Sequence, residues 1–426
     1  MTKEGNALGN CLVLLTKTYP YGKGEEFIED EIPCLAKHFE KIIILATSTE
    51  DGAVQTRSTP ENVTVHAITA RTVKKSLAGN GLSLFPFTSC DGLVDDAEHN
   101  KIRGNLKRRA YLLYFIAKAK GVYRECARLL RKYDLTAFDG VTFYSFWLYD
   151  VALAALWLSE DCKNPVKKTI SRAHRYDLYP EAGSAHYLPL RRYLLEHLDA
   201  VYPCSQNGTD YLSEHYPPYA RKVHTAYLGT QDFGMGPENK GDTVEIVSCC
   251  HIAPVKRVEL LAQSLALLSE EKKKLHWTHF GGGDSLDDLK TYAAEHLQFM
   301  KTDFPGTVKN EDLLAYYRTH PVDWFVNTSS SEGLPVSIME ACSFGIPIVA
   351  TDVGGTSELV REDETGHLLK ADFTPEELAE LFRQLFRQKK EKHDILRQNC
   401  RRVWQEEFCA EVNFDRFAEA IRPQAE

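Results

Sequence analysis

Short apolar runs bounded by turn residues alternate with segments of helical period, and this alternation passes along the chain twice. In the first half CLVLL (11–15), KIIILAT (41–47) and VTVHAI (63–68) read as buried strands, with EEFIEDEIPCLAKHF (25–39) as a helix among them. GVTFYSFWLYDVALAAL (140–156) reads as a strand running into an apolar helix, and HLDAVYPCS (197–205) as a further strand. The second half restarts with strands at 244–250, 275–280, near 298–301, 324–329 and 346–351, and helices at 258–268, 285–297, 310–319 and 335–344. Alternation of this kind predicts a parallel sheet covered on both faces. A chain of 426 residues exceeds one ordinary core, and two domains of roughly 200 residues fit it. The expected fold class is therefore α/β, with two doubly wound Rossmann-like domains. They take residues 1–228 and 240–404, and the Gly-rich polar stretch 228–242 serves as linker. RRVWQEEFCAEVNFDRFAEAI (401–421) is amphipathic and follows the second domain, so residues 405–426 are expected to cross back and complete the first.

A formal charge of −9 argues against nucleic acid as a partner, which calls for a net basic face. Eleven cysteines, an odd number without CxxC spacing, read as reduced thiols used as small core residues, which points to the cytoplasm. MTKEGNALGN at the start does not resemble a signal peptide. No run approaches the eighteen apolar residues of a membrane span.

The richest stretch for chemistry is SSSEGLPVSIMEACSFGIPIVATDVGGTSEL (329–359). It places Glu332 at the end of a strand, Pro335 at the expected first helical position and Glu340 inside that helix. Gly333, Leu334, Pro335 and Val336 lie where the helix starts, and the unpaired N–H groups there (Pro335 has none), together with the helix dipole, favour an anion. Such a turn suits a pyrophosphate, with carboxylates free to accept hydrogen bonds from neutral hydroxyls. Taken singly, each glutamate reads more readily as a solvated helix residue. Gly281-Gly282-Gly283 after a strand lacks the third glycine of G-x-G-x-x-G, because position 286 is Leu286, and this counts against a dinucleotide-binding dehydrogenase.

The pattern E-G-L-P-x-x-x-x-E followed by G-I-P-I-V-A-T-D-V-G-G-x-x-E resembles the family-4 retaining glycosyltransferases of GT-B fold, whose paired glutamates fall here on Glu332 and Glu340. HIAPVKRVELL (251–261) resembles the family's first C-domain loop, with its donor-binding lysine at Lys256. HFGGG (279–283) is similar to the next strand–glycine turn, and TVKNEDLLAYY (307–317) to the loop over the nucleobase. TYPYGKGEEF (18–27), with Tyr21, Gly22, Lys23 and Gly24, resembles the glycine-rich loop near the acceptor. SRAHRYDLY (171–179) carries the family's active-site histidine at His174. The resemblance implies two domains facing a central cleft, with the acceptor on the first domain and a nucleotide-sugar, UDP- or GDP-linked, on the second. It implies that Lys256 neutralises the diphosphate, Glu340 binds the ribose, Glu332 binds the transferred sugar, and Gly282, Gly354, Gly355 and Glu358 complete the donor cradle. His174 would bind the transferred sugar or the acceptor. Many members carry arginine five positions before the lysine, where this chain has His251; either His251 replaces it or Arg257 approaches from another angle. No cofactor is expected, and no metal: the family needs no Asp-x-Asp site, and His276 with His279 make a weak ligand pair at best.

Between Lys101 and Lys132 stand eleven basic residues and a single acid, Glu125, interleaved with apolar and aromatic residues. One reading is a solvated helix packed on the first domain. The other is an element touching an anionic membrane surface, near a lipid-linked acceptor on the cytoplasmic side. The leading expectation is hexosyl transfer in surface polysaccharide or glycolipid synthesis. A non-catalytic partner subunit and a sugar-nucleotide epimerase of the same fold are the alternatives.

Overall fold

The computed structural model describes residues 9–22, 24–70, 93–183 and 185–424. The chain divides into two compact units, 1–227 with 411–426, and 228–410. Each holds one six-stranded sheet whose strands all run parallel.

In the first unit the strands are β1 (Cys11–Thr16), β2 (Lys41–Thr49), β3 (Val63–Thr69), β4 (Val141–Ser145), β5 (Lys167–Ala173) and β6 (Ala200–Pro203), in the order β3-β2-β1-β4-β5-β6. The order reverses between β1 and β4, the two central and fully buried strands. In open sheets of this kind ligands gather beyond the carboxyl ends at that reversal. A cluster of buried side chains from β1, β2, β4 and helix Asp150–Asp161 forms the core, and Phe417, Ala418 and Ile421 of helix Ala410–Ile421 belong to it. Beneath that helix lies the buried pair Arg172–Glu31 (3.0 Å), with the Tyr144 hydroxyl bonded to Glu31 (2.8 Å) and the Arg172 guanidinium 4.1 Å from the Phe417 ring centroid. β5 was not evident in the sequence, because KKTISRA has no apolar run; its inward arginine is tolerated only through this pairing.

The second unit repeats the plan with β7 (Thr243–Cys249), β8 (Lys274–Phe280), β9 (Lys301–Gly306), β10 (Trp324–Asn327), β11 (Ile348–Thr351) and β12 (Gly366–Leu369), ordered β12-β11-β10-β7-β8-β9. Its order reverses between β7 and β10. The strand expected near 298–301 is β9, displaced to Lys301–Gly306. KTDFPG is a half-exposed edge strand whose proline and glycine mask the pattern. The amphipathic stretch 401–421 is not one helix. Helix Lys390–Val403 ends in a π turn at Trp404–Phe408, Cys409 is extended, and helix Ala410–Ile421 follows. Thr230 pairs there with the chain on its return: its N–H bonds Phe408 O (3.1 Å), its carbonyl accepts Ala410 N (3.0 Å), and its hydroxyl accepts Trp404 Nε1 (2.8 Å). A Cβ on Gly229 would lie 2.4 Å from Ala410 Cα, so only glycine fits this approach.

The basic segment forms helices Asp96–Ile102 and Leu106–Leu130. Leu112, Phe115, Ile116 and Ala119 of the long helix are buried against Leu148, Ala152, Leu153 and Leu156. Arg103, Lys107, Arg124, Arg128, Arg131 and Lys132 stay exposed. Among the described residues no helix is long and apolar enough to cross a membrane. Cys90 lies outside the described residues, and the remaining cysteines are free thiols.

Candidate functional site

Four loops of the second unit, each following a strand, build the candidate site. After β7 the chain passes Cys250 and His251, enters a short helical turn at Pro254–Lys256, and presents Lys256. After β10 it reaches Glu332. Lys256 Nζ and Glu332 Oε1 stand 2.6 Å apart, and Asn327 Nδ2 donates to the same carboxylate oxygen at 3.3 Å. Ser330 N bonds Val255 O (2.8 Å), and the Thr328 hydroxyl bonds Lys256 O (3.0 Å), so the two loops are laced together. Residues 76 positions apart in sequence are thus one ion pair in space.

Helix Val336–Ser343 begins immediately beyond. Pro335 is its N-cap and not its first helical residue, so the expected start moves by one position. Pro335 O accepts from Ile338 N and Met339 N (3.1 and 3.3 Å), while the N–H groups of Val336 and Ser337 precede any intrahelical partner. Glu340 lies in this helix, buried, with Asn310 Nδ2 bonded to its Oε1 at 2.7 Å. Leu334 is buried beside the turn.

The glycines hold the loops in close contact. Gly354 has φ +56, and a Cβ there would fall 2.0 Å from Glu332 O. Gly355 N donates to Gly333 O (2.7 Å), and the half-buried Glu358 follows on the helical turn Thr356–Leu359. Across the sheet, Gly281 (φ +141) lies against Cys250 O, where a Cβ would come within 1.8 Å, and Gly282 O accepts from Ile252 N (2.8 Å). Burial pushes the Cys249 and Cys250 thiols up, to about 12 and about 11, so both are protonated at neutral pH.

Arg257 is engaged by the backbone of neighbouring loops. It adopts φ +49, and its guanidinium donates to the carbonyls of Thr328 (2.8 Å), Ala371 (2.7 Å) and Ser329 (3.3 Å). It fastens these loops to one another. His251 is exposed on the same loop. His276 and His279 are not a ligand pair. Residues three apart on a strand face opposite sides. His276 bonds Glu245 and Asp303 (2.6 and 2.8 Å), whereas His279 is buried against the Ser248 hydroxyl (2.8 Å). Among the described residues one trio has metal-ligand spacing, Glu362, Asp363 and His367. There Asp363 pairs with Lys392 (2.8 Å) and Glu362 with His367 (2.7 Å), as surface ion pairs do.

In the first unit, His174 follows β5. Its backbone N–H donates to Asp177 Oδ1 (2.6 Å), and Leu148 N donates to the other Asp177 oxygen (2.6 Å). The residue is 7% exposed and its ring packs against Phe146, Trp147 and Phe27 (centroids 4.8, 4.9 and 5.3 Å), with neither nitrogen bonded to a group among the described residues. Burial, reinforced by Arg172 and Lys17, pushes its pKa down to about 3, so the imidazole is neutral. The loop 18–27 is ordered by Glu25, a residue sequence reasoning missed. Its carboxylate accepts from the N–H groups of Lys17, Thr18 and Tyr19 (2.9, 2.7 and 2.7 Å) and from Trp147 Nε1 (2.6 Å). Tyr21 N bonds Thr18 O (2.7 Å), Gly22 O accepts from Arg57 (2.8 Å), and Gly24 is exposed; Lys23 lies outside the described residues. Asn310 and Asn327 were also missed, since an asparagine in a loop carries no signal until its partner is known.

Residues 235–403 match the family model Glycosyl transferases group 1. The O-antigen biosynthesis glycosyltransferase WbnH of Escherichia coli is 36% identical over 130 residues, 28% of this chain and 34% of that protein. The chain thus spans about a third of the curated relatives it matches first (34%). Alpha-monoglucosyldiacylglycerol synthase of Streptococcus pneumoniae is 23% identical over 307 residues, 67% of each chain. Among solved structures, sucrose-phosphate synthase of Thermosynechococcus elongatus superposes with TM-score 0.67 at 16% identity, covering 97% of this chain and 98% of that one. HepE of Anabaena in complex with UDP gives 0.65 at 15%, covering 96% and 99%. The chain therefore has the α/β GT-B two-domain fold, and its second unit carries the match to Glycosyl transferases group 1.

Proposed function

We propose that this chain is a retaining, metal-independent glycosyltransferase of the family-4 type. It moves a hexosyl unit from a UDP- or GDP-sugar to a glycan or lipid-linked acceptor, on the cytoplasmic side, in surface polysaccharide or glycolipid synthesis. The observation that carries this reading is the Lys256–Glu332 pair (2.6 Å) beside the start of the helix that holds Glu340. A cation, a helix N-terminus and two carboxylates within one glycine-packed turn match the needs of a sugar diphosphate: negative charge in the middle, hydroxyls at both ends. HepE has been solved with UDP-glucose, and the curated relatives act in O-antigen and glucosyldiacylglycerol synthesis, which favours the same substrate classes here.

In this reading the diphosphate draws Lys256 away from Glu332, which is then released to accept hydrogen bonds from the transferred sugar. Glu340, held by Asn310, accepts from the ribose hydroxyls. Gly282, Gly333, Gly354 and Gly355 let the ligand approach the backbone, Glu358 completes the cradle, and His251 contacts the phosphates. As the bond from the anomeric carbon to the phosphate oxygen breaks, Lys256 and the helix N-terminus stabilise the growing charge. The departing phosphate takes the proton of the acceptor hydroxyl, whose oxygen bonds the anomeric carbon on the same face. Neutral His174 hydrogen-bonds a sugar hydroxyl, and Tyr21, Gly22 and Gly24 border the acceptor. The exposed basic stripe of helix Leu106–Leu130 rests on anionic lipid.

The test is incubation with UDP-, GDP-, ADP- and CMP-sugars, reading released nucleotide by mass spectrometry and binding by calorimetry, with Glu340→Ala in parallel. Release or binding for one donor, lost in the variant, is expected. Binding of none of them would turn the reading to a non-catalytic partner subunit.

A further inference from the structure

Beyond the residues named so far, the carboxyl ends of β1, β4 and β5 bring together a second set of groups. Lys17 follows β1, Trp147, Tyr149 and Asp150 follow β4, and Tyr176 follows β5. Lys17 Nζ lies 4.3 Å from the Trp147 ring centroid, 5.2 Å from Tyr176 and 5.9 Å from Tyr149. It is half-buried, yet no carboxylate or carbonyl among the described residues bonds it. The nearby acids are engaged elsewhere. Glu25 is held by three backbone N–H groups and the Trp147 indole, and Asp177 by two backbone N–H groups. Asp150, 1% exposed, faces Lys118 of the long basic helix at 3.1 Å. Aromatic faces offset only part of the cost of desolvating an ammonium and satisfy none of its three N–H donors. Burial accordingly lowers the Lys17 pKa. His174, whose ring nitrogens have no hydrogen-bond partner among the described residues, packs against the same indole (centroids 4.9 Å), so two polar groups without a protein partner gather at Trp147. Tyr176 and Tyr114, 45% and 56% exposed, leave flat apolar surface in solvent.

We propose that Lys17, set among Trp147, Tyr149 and Tyr176, binds a phosphate group carried by the acceptor. The inference rests on the glycosyltransferase reading and adds to it the acceptor's chemical class. The phosphate oxygens take the N–H donors of Lys17. The Lys118–Asp150 pair cancels its own charge, so the anion meets no net repulsion from Asp150. A sugar ring or an isoprenoid chain next to that phosphate lies on the tyrosine faces, whose quadrupoles and area suit both. The phosphate belongs either to a lipid-linked diphosphate or to a soluble sugar phosphate.

Calorimetry on the full chain, with saturating UDP to occupy the second unit, compares farnesyl diphosphate, glucose 1-phosphate and uncharged methyl glucoside. Binding of at least one phosphate probe in preference to methyl glucoside is expected. Lys17→Met weakens it by about ten- to a hundredfold and Lys17→Arg restores it, with UDP affinity unchanged in both variants. Preference for the prenyl probe assigns the phosphate to a lipid carrier; equal or better binding of glucose 1-phosphate assigns it to a soluble sugar phosphate. No binding of either phosphate probe, or equal binding by Lys17→Met, overturns the proposal. Failure of UDP, GDP, ADP and CMP alike to bind would strike the glycosyltransferase reading, while Lys17-dependent phosphate binding would still stand by itself.

Discussion

Lys256 and Glu332 neutralise each other at 2.6 Å, so removing either leaves its partner charged and partly buried. Lys256→Ala is expected to lower turnover on the order of ten- to a hundredfold. Loss of one charge-assisted contact to the leaving diphosphate costs about 1.5–3 kcal/mol. Initial rates with the preferred donor check this, and near-normal transfer would place the diphosphate elsewhere. His174 gives a second expectation, read in stability. Its folded pKa of about 3 lies below the unfolded value near 6.5, so the unfolded chain binds the proton first. Its contribution is complete above pH 6.5 and is lost as pH falls toward 3. Asp177, raised to about 6 by burial, acts in the opposite sense over part of that window and offsets some of the loss. Urea midpoints between pH 7 and 4.5 should therefore fall less in His174→Gln than in wild type; equal slopes would mean the ring is protonated in the fold. That a turn with Glu332 leads into a helix holding Glu340 was legible in sequence from the proline and the apolar period after it. The direction of the Arg257 guanidinium was not, since the carbonyls of Thr328, Ser329 and Ala371 converge only in the folded unit. Lys17 and Asp150 were illegible for a related reason: single residues after separate strands gain meaning from parallel neighbours.

Among the elements, helix Leu106–Leu130 separates its two readings by face. Much of its apolar side is buried in the first unit, while basic residues stay outside together with Leu106 and Tyr114. The electrostatic part of any attraction to a bilayer is about 1 kcal/mol for each basic residue near the surface. The combined reversal Lys107→Glu, Arg124→Glu, Arg131→Glu should abolish flotation with anionic vesicles while leaving the unfolding midpoint near that of wild type. Equal flotation of wild type on neutral and anionic vesicles, or none on either, would reduce the helix to a solvated packing element. Strands announced by apolar runs, such as β1, β2, β7 and β8, were legible. β5 and β12 were not, since one buries an arginine and the other is four residues long, and β9, a half-exposed edge with proline, was expected slightly early, near 298–301. The turn at Gly354 offers an expectation of its own. Gly354→Ala would set a Cβ 2.0 Å from Glu332 O at φ +56, so the loop must shift. UDP affinity should drop by more than tenfold, a figure in line with about 1–3 kcal/mol of backbone strain. Unchanged affinity would show that this turn does not shape the nucleotide site.

At the scale of the whole chain, the first unit is interrupted by the second and finished by the last residues. Helix Ala410–Ile421 belongs in sequence to the end of the second unit, yet its Phe417 and Ile421 lie in the core that β1 begins. The segment reads in sequence as amphipathic, whereas the break at Cys409 depends on Thr230 taking up the chain on its return. Phe417 closes over Arg172 (4.1 Å) and touches Tyr144 and Tyr202 (centroids 5.6 and 5.1 Å), so it shields the buried Arg172–Glu31 pair from water. Phe417→Ala removes that cover and leaves a cavity beside a buried charge, which costs about 3–5 kcal/mol for the ring alone. The loss should fall on the first unit, because all of these partners lie in it. Denaturation followed by Trp147 and Trp157 fluorescence, with the tryptophans of the second unit replaced by phenylalanine, should shift to lower urea. Protection of the second unit by UDP should persist at concentrations where the first has melted. A single transition in which both signals move together would mean that residues 411–424 secure the two units as one cooperative body, and the helix would then be a clasp for the whole molecule and not the last piece of one core.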